Sequence, residues 1–276
     1  MTTVVPVGTL DATQIVDCCV PDPNAPLSID LRRCIFVRPA GLVFLGVLIE
    51  AASLENRSCE VRFRENSDLA VYMERMGLRS IIDACGVATD AWPRIRHHPS
   101  RDRFVELTRF GPTGDSIIDD VCQTLTSRAI ILGDDRKRLH NSVFELGVNV
   151  EQHAQSTGLV AVQHYPQLRR VEFAVGDFGV GIRGSLATAG FQFSTDSAAI
   201  RAAVETDASR LKASEPWRGQ GLRSLRSQIC SERLMGSLIV QSGNQRVEWA
   251  YSSTPKVSTL NYRLDGTLAF GTFTTC

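Results

Sequence analysis

Short apolar runs alternate with longer helical stretches over the first part of the chain. Ile29 and Leu31, then Ile35 to Val37, predict short strands, and Pro39 stands where the first turn of a helix tolerates it. From Ala40 to Leu54 the apolar residues Leu42, Leu45, Val47, Leu48 and Ala52 suit a packed helix. Val61 and Phe63 alternate with arginines, the pattern of a half-buried strand. Leu69 to Met76 predicts a helix closed by Gly77, a residue suited to the left-handed C-cap. Between residues 86 and 103 periodicity is lost among Trp92-Pro93, His97-His98-Pro99 and the arginines Arg94, Arg96, Arg101 and Arg103, which predicts a linker.

Patterning resumes at Phe104 to Thr108 with a strand, followed by helices over Asp115 to Arg128 and Asp135 to His153. Leu159 to Val162 and Val171 to Val175 predict strands. A long polar, Ala-rich stretch from Arg183 to Trp217 separates them from a helix at Leu222 to Cys230. Four strands close the chain, at Ser237 to Gln241, Val247 to Tyr251, Leu260 to Leu264 and Thr267 to Phe273. The expected class is α/β (α+β), with one unit over residues 1–85, a linker over 86–103 and a second unit over 104–276.

Composition narrows the function classes. The formal net charge is zero, so no global field draws in nucleic acid or an anionic membrane. Lys137, Lys212 and Lys256 are the only lysines; the arginine bias favours planar phosphate contacts, but a GC-rich genome is its main explanation. None of the eight cysteines forms a CxxC pair or a zinc-finger spacing with histidine, which fits reduced, partly buried thiols in a cytoplasmic protein. No signal peptide and no membrane span are expected.

Three clusters in the second unit carry chemistry. Glu145, Asn149 and His153 are four residues apart and fall on one helix face. The Asn149 amide oxygen could ligate magnesium, which demands oxygen donors, and Glu145 could orient or deprotonate a water. Asp177-Phe-Gly-Val-Gly-Ile182 follows a strand: an acidic residue at a strand end can accept from an exocyclic amine, and glycines let backbone approach a ligand. Arg218-Gly-Gln-Gly-Leu222 opens into a helix, where backbone N–H groups and the positive dipole end suit an anion. Taken singly these also fit a solvated helix stripe, a tight turn and a glycine-rich turn.

Order and spacing distinguish them. ExxxNxxxH on a helix, DxGxGI after a strand, a long intervening segment and GxGL before a helix together resemble the Bergerat-fold ATPases, the superfamily of gyrase, MutL and sensor histidine kinases. Gly266-Thr267 in LDGT is similar to that family's closing motif. The resemblance spans roughly Phe104 to Phe273. It implies ATP and magnesium as ligands, Glu145 as general base, Asn149 as metal ligand and His153 supporting the stripe or the phosphates. It further implies Asp177 on the adenine amine, with Gly179, Gly181 and Ile182 shaping the base pocket. Gly219, Gly221 and Leu222 would form the phosphate turn, Thr267 would support the adenine end, and about 183–217 would be an ATP lid from which Lys212 or Arg218 reaches the γ-phosphate.

The first unit resembles a STAS domain, the fold of anti-sigma-factor antagonists, through IDLRRCIFVRPAGL and YMERMGL, over about Leu27 to Ile82. Where that family carries Asp-Ser-Ser-Gly with the phosphorylated serine, this chain has Arg38, Pro39, Ala40 and Gly41, so no hydroxyl is present to phosphorylate. The combined expectation is a cytosolic regulatory ATP-binding protein with slow magnesium-dependent hydrolysis and a STAS-like module that docks a protein partner; a homodimer is also allowed. The alternatives are a non-hydrolysing ATP-gated switch and a Ser/Thr kinase of the anti-sigma type acting on another protein.

Overall fold

A helix that is apolar on every side has to be dry on every side, and that requirement organises this molecule. The computed structural model describes residues 2–17, 25–95, 104–110, 144, 146–147, 150, 158–206 and 221–274. In it, helix α1 (Pro39–Leu54) buries 13 of its 16 residues. On one side lies a four-stranded parallel sheet of β1 (Thr2–Val4), β3 (Leu27–Asp30), β5 (Cys59–Arg62) and β6 (Ala88–Thr89), in the order β1-β3-β5-β6. A parallel ribbon of β2 (Gly8–Leu10) and β4 (Cys34–Val37) stands beside it. Helices α2 (Asp68–Arg75) and α3 (Leu78–Ala84) complete this unit.

On the other side of α1 lies a five-stranded antiparallel sheet, ordered β10-β11-β9-β8-β7. Its strands are β7 (Phe104–Phe110), β8 (Gly158–Tyr165), β9 (Arg170–Asp177), β10 (Ser237–Ala250) and β11 (Lys256–Thr274). The face carrying Leu159, Ala161, Ala174, Leu268 and Phe270 shares one apolar core with α1 and the parallel sheet. Two glycines allow the close approach: a Cβ on Gly176 would fall 2.7 Å from Val43 and 3.1 Å from Val47, and one on Gly46 would fall 2.7 Å from Leu159. Val162, Val171, Phe173, Val175 and Phe273 point to the opposite face, where a second core forms with α5 (Asp196–Glu205), α6 (Gly221–Ile229), Leu146 and Val150. Helix α4 (Gly181–Thr188) leads from β9 into α5. The protein is thus a mixed α/β structure built as alternating layers of sheet and helix.

Several elements differ from the sequence reading. Helix α3 was not anticipated: Gly77, in the left-handed region at φ 79°, both ends α2 and caps α3. The four closing strands are two long ones. Gly243 and Gly266, with positive φ, sit at β-bulges between segments expected as separate strands, so each strand kinks without leaving the sheet. The described part of the expected lid contains α4 and α5, and α5 buries Ala199, Ile200 and Val204. Helix α5 is therefore part of the core, because lifting it would expose those side chains to water.

Polar contacts fasten the two units together. Arg38 precedes α1 and, having no acceptor, makes no side-chain cap bond; its guanidinium instead donates to Glu172 Oε1 at 2.7 Å. Arg170 pairs with the same oxygen at 2.7 Å, and Arg38 lies over the Tyr165 ring. Burial raises the Glu172 carboxyl, while the two guanidinium groups pull it back down. Tyr72 donates to Gln163 at 2.5 Å, Arg246 to the carbonyl of Ala12 at 2.5 Å, and Tyr262 to that of Ile15 at 3.2 Å. Pro39, Ala40 and Gly41, the positions set beside the STAS phosphoacceptor loop in the sequence, are buried at the start of α1. Among the described residues no helix is long and apolar enough to cross a membrane.

Candidate functional site

Strand β9 ends in Asp177, on the face that carries the second core. Alternation along the strand places Val171, Phe173, Val175 and Asp177 on one side, so the carboxylate is carried inward with three apolar neighbours. Its residue is 6% exposed. Two backbone donors meet it: the N–H of Gly179 at 2.8 Å to Oδ1, and the N–H of Thr267 on the neighbouring strand. Burial pushes the Asp177 carboxyl up to about 6, and these two bonds hold it from rising further.

The loop after Asp177 turns at once into α4. Gly181 takes φ 69°, a conformation that would strain any side chain, and its missing Cβ leaves room for Ser242 Oγ, which would otherwise be 2.7 Å away. Ser242 lies on β10, is 3% exposed, accepts from the N–H of Ile182 at 3.0 Å and donates to the carbonyl of Gly266 at 2.9 Å. Register aligns the row: Ser242 pairs with Thr267 and Thr267 pairs with Asp177. Gly266, at φ 110°, presses its backbone against the turn, so a Cβ there would lie 2.1 Å from the Asp177 carbonyl oxygen.

A second buried carboxylate anchors the far side. Asp196, 4% exposed at the start of α5, accepts from the N–H of Asn244 at 3.1 Å. Arg183 and Arg263 approach it at 3.6 and 3.5 Å. The Ser197 N–H donates to Gln245 at 2.7 Å, so the β10 bulge grips the helix start twice. A Cβ on Gly243 would fall 2.0 Å from Asp196 Oδ2, and the residue has φ 64°. Gly243→Ala is expected to lower stability by about 2 kcal/mol or more, from left-handed strain plus displacement of the carboxylate. Urea unfolding of the variant and the parent measures it.

Of the residues singled out in the sequence, the structure brings Asp177, Gly179, Gly181, Ile182 and Thr267 together around one turn. Gly221 opens α6, and Leu222 packs against the second core on the same face of the sheet. Glu145, Asn149, His153, Lys212, Arg218 and Gly219 lie outside the described residues. Within the described residues no group of three or more His, Cys, Asp and Glu side chains could hold a metal ion. Ser242 and Asp196 escaped the sequence reading. The available signal was Ser242-Gly243-Asn244, a turn-like tripeptide inside an otherwise strand-forming run.

A buried, ionisable acceptor at a strand end, walled by glycines that bring backbone close, can recognise a flat heterocycle bearing an exocyclic amine. In comparisons with known proteins, no family model matches the chain and no curated protein matches it.

Proposed function

We propose that this chain is a regulatory ATP-binding protein, its 104–276 region a Bergerat-type nucleotide domain and its 1–85 region a STAS-like module that docks a protein partner. The observation that carries the reading is the Asp177–Thr267 pair. A buried carboxylate on β9 is flanked across the sheet by the threonine of a Gly-Thr pair, with the DxGxG turn closing over it. An adenine amine would donate to Asp177, while Gly179 and Gly181 would let the base lie against backbone. The residues fit a purine with an exocyclic amine, because the site offers an acceptor where guanine would present a carbonyl oxygen.

Magnesium and the phosphates would fall to Asn149, Glu145 and the Gly219–Leu222 turn, with Lys212 or Arg218 on the γ-phosphate. Bound magnesium would neutralise phosphate charge and orient the terminal phosphoryl group for slow hydrolysis. Pro39, Ala40 and Gly41 are buried, so a docking surface would lie elsewhere on the N-terminal unit. A cytoplasmic location accords with thiols that are unpaired at Cys34, Cys59, Cys85 and Cys230.

Calorimetric titration with ATP and GTP, with and without magnesium, tests the reading together with phosphate release. Binding of ATP over GTP is expected. Glu145→Ala is expected to slow hydrolysis by about 100-fold or more while leaving ATP affinity within about twofold. Hydrolysis by that variant at the parental rate would remove Glu145 as the base.

A further inference from the structure

We infer that Ser242 is a positioning residue of the candidate adenine pocket, its hydroxyl setting the orientation and charge of Asp177 through the Gly266–Thr267 peptide. Ser242 Oγ accepts one hydrogen bond, from Ile182, which directs its single proton toward the Gly266 carbonyl. That carbonyl belongs to the same peptide plane as the Thr267 N–H, which faces Asp177 across the β9–β11 register and lowers its carboxyl. The chain therefore runs from the Ile182 N–H through the Ser242 hydroxyl and the Gly266–Thr267 amide to the carboxylate.

Each bond in such a chain polarises the next, and burial amplifies the effect. A proton donated to the Gly266 oxygen draws electron density from the amide nitrogen and makes Thr267 a stronger donor. A stronger donor favours the ionised carboxylate, the form able to accept from an amine. Ser242 also ties the start of α4 to the β11 bulge, so the one hydroxyl holds both walls of the turn. Gly181 and Gly266 have the positive φ values this close assembly requires.

Among the described residues, no charged side chain is a cause of the Asp177 shift. Burial and the two backbone bonds from Gly179 and Thr267 account for the Asp177 shift. Charged groups on the neighbouring elements include Arg183 of α4, Asp196, Arg201 and Glu205 of α5, Arg246 and Glu248 of β10, and Arg263 and Asp265 of β11; Arg201 pairs with Glu205 and Arg246 with Glu248. Arg183 and Arg263 are engaged with Asp196, and Arg263 also lies 3.7 Å from Asp265.

The purpose of the relay rests on the nucleotide reading, whereas its geometry does not, and the test separates the two. The Asp177 carboxyl is titrated by carbon-13 NMR in the ligand-free full chain, for the parent and for Ser242→Ala, Ser242→Cys and Ser242→Thr. Loss of the hydroxyl in Ser242→Ala is expected to move the Asp177 midpoint upward by about half a pH unit. Ser242→Cys, nearly equal in size but a weak donor, is expected to shift it in the same direction, and it serves in place of Ser242→Ala if that variant does not fold. Ser242→Thr restores the hydroxyl and is expected to return the midpoint to the parental value. In parallel, ADP affinity at pH 7 is expected to fall about fivefold in Ser242→Ala. An unchanged Asp177 midpoint in folded Ser242→Ala or Ser242→Cys overturns the inference, as does a Ser242→Thr midpoint equal to that of Ser242→Ala. If the midpoint moves as expected but the parent binds no adenine nucleotide, the relay stands and the nucleotide reading falls.

Discussion

Asp177→Asn is expected to abolish adenine-nucleotide binding while making the ligand-free protein more stable at neutral pH. The two effects share one cause. Asp177 is buried, and its carboxyl titrates at about 6 in the folded chain against an ordinary 3.8. A folded-state value above the unfolded one means the folded state holds its proton more tightly. Stability therefore falls as pH rises from about 4 to about 6, and the full penalty, roughly 3 kcal/mol, is present above that window. An amide carries no charge and escapes the penalty. It keeps only one oxygen for the donors of Gly179 and Thr267, so the net gain is expected to be smaller, about 1–2 kcal/mol at pH 7. Below about pH 4, where the penalty is gone and only the lost acceptor remains, the variant should be the less stable by about 1–2 kcal/mol.

Binding moves the other way. The amide can turn an NH2 toward the adenine amine, donor against donor, and leaving such a group unpaired in a buried site costs on the order of 100-fold in affinity or more. In the parent, ATP affinity is expected to be level above about pH 6.5 and to fall as pH drops through 6, because protonation removes the acceptor. Thermal melts and calorimetry across pH 4.5 to 8 measure both halves. Unchanged ATP affinity in Asp177→Asn would remove the adenine assignment, and a lower melting temperature at pH 7 would contradict the burial penalty.

Gly266→Ala is the second large effect. Its φ of 110° lies where L side chains are strained, and the added Cβ would sit 2.1 Å from the Asp177 carbonyl oxygen and 2.6 Å from the Phe178 Cα. Both obstacles are backbone, so no rotamer change relieves them. The bulge must open or β9 must separate from β11, at an expected cost of about 3 kcal/mol or more. Either movement also withdraws the Thr267 N–H from Asp177, so nucleotide affinity should fall further than stability alone explains. Denaturant unfolding and ATP titration at a temperature where the variant is folded distinguish the two losses. A variant that binds ATP as the parent does would show that the bulge is not part of the site.

The hydrophobic pattern specified much of this protein unaided. Pro39 and the apolar run to Leu54 predicted α1 to its last residue, since helix-initiating proline and side-chain spacing are local properties. The apolar run Val171 to Val175 placed Asp177 at a strand's end, and only the structure showed that it faces a buried core. The glycines behind it announced a backbone turn near a ligand. What the pattern did not contain was the identity of the partner that dries each apolar surface. A helix apolar all round reports that both sides are buried, and only the tertiary structure placed α1 between two sheets. The bulges at Gly243 and Gly266 read as strand ends, because a bulge is defined by pairing with another strand and leaves the same glycine in the sequence as a turn. Ser242 illustrates the limit best: its two partners are 60 and 24 residues away, and a serine in a strand has no meaning until register brings Ile182 and Gly266 to it.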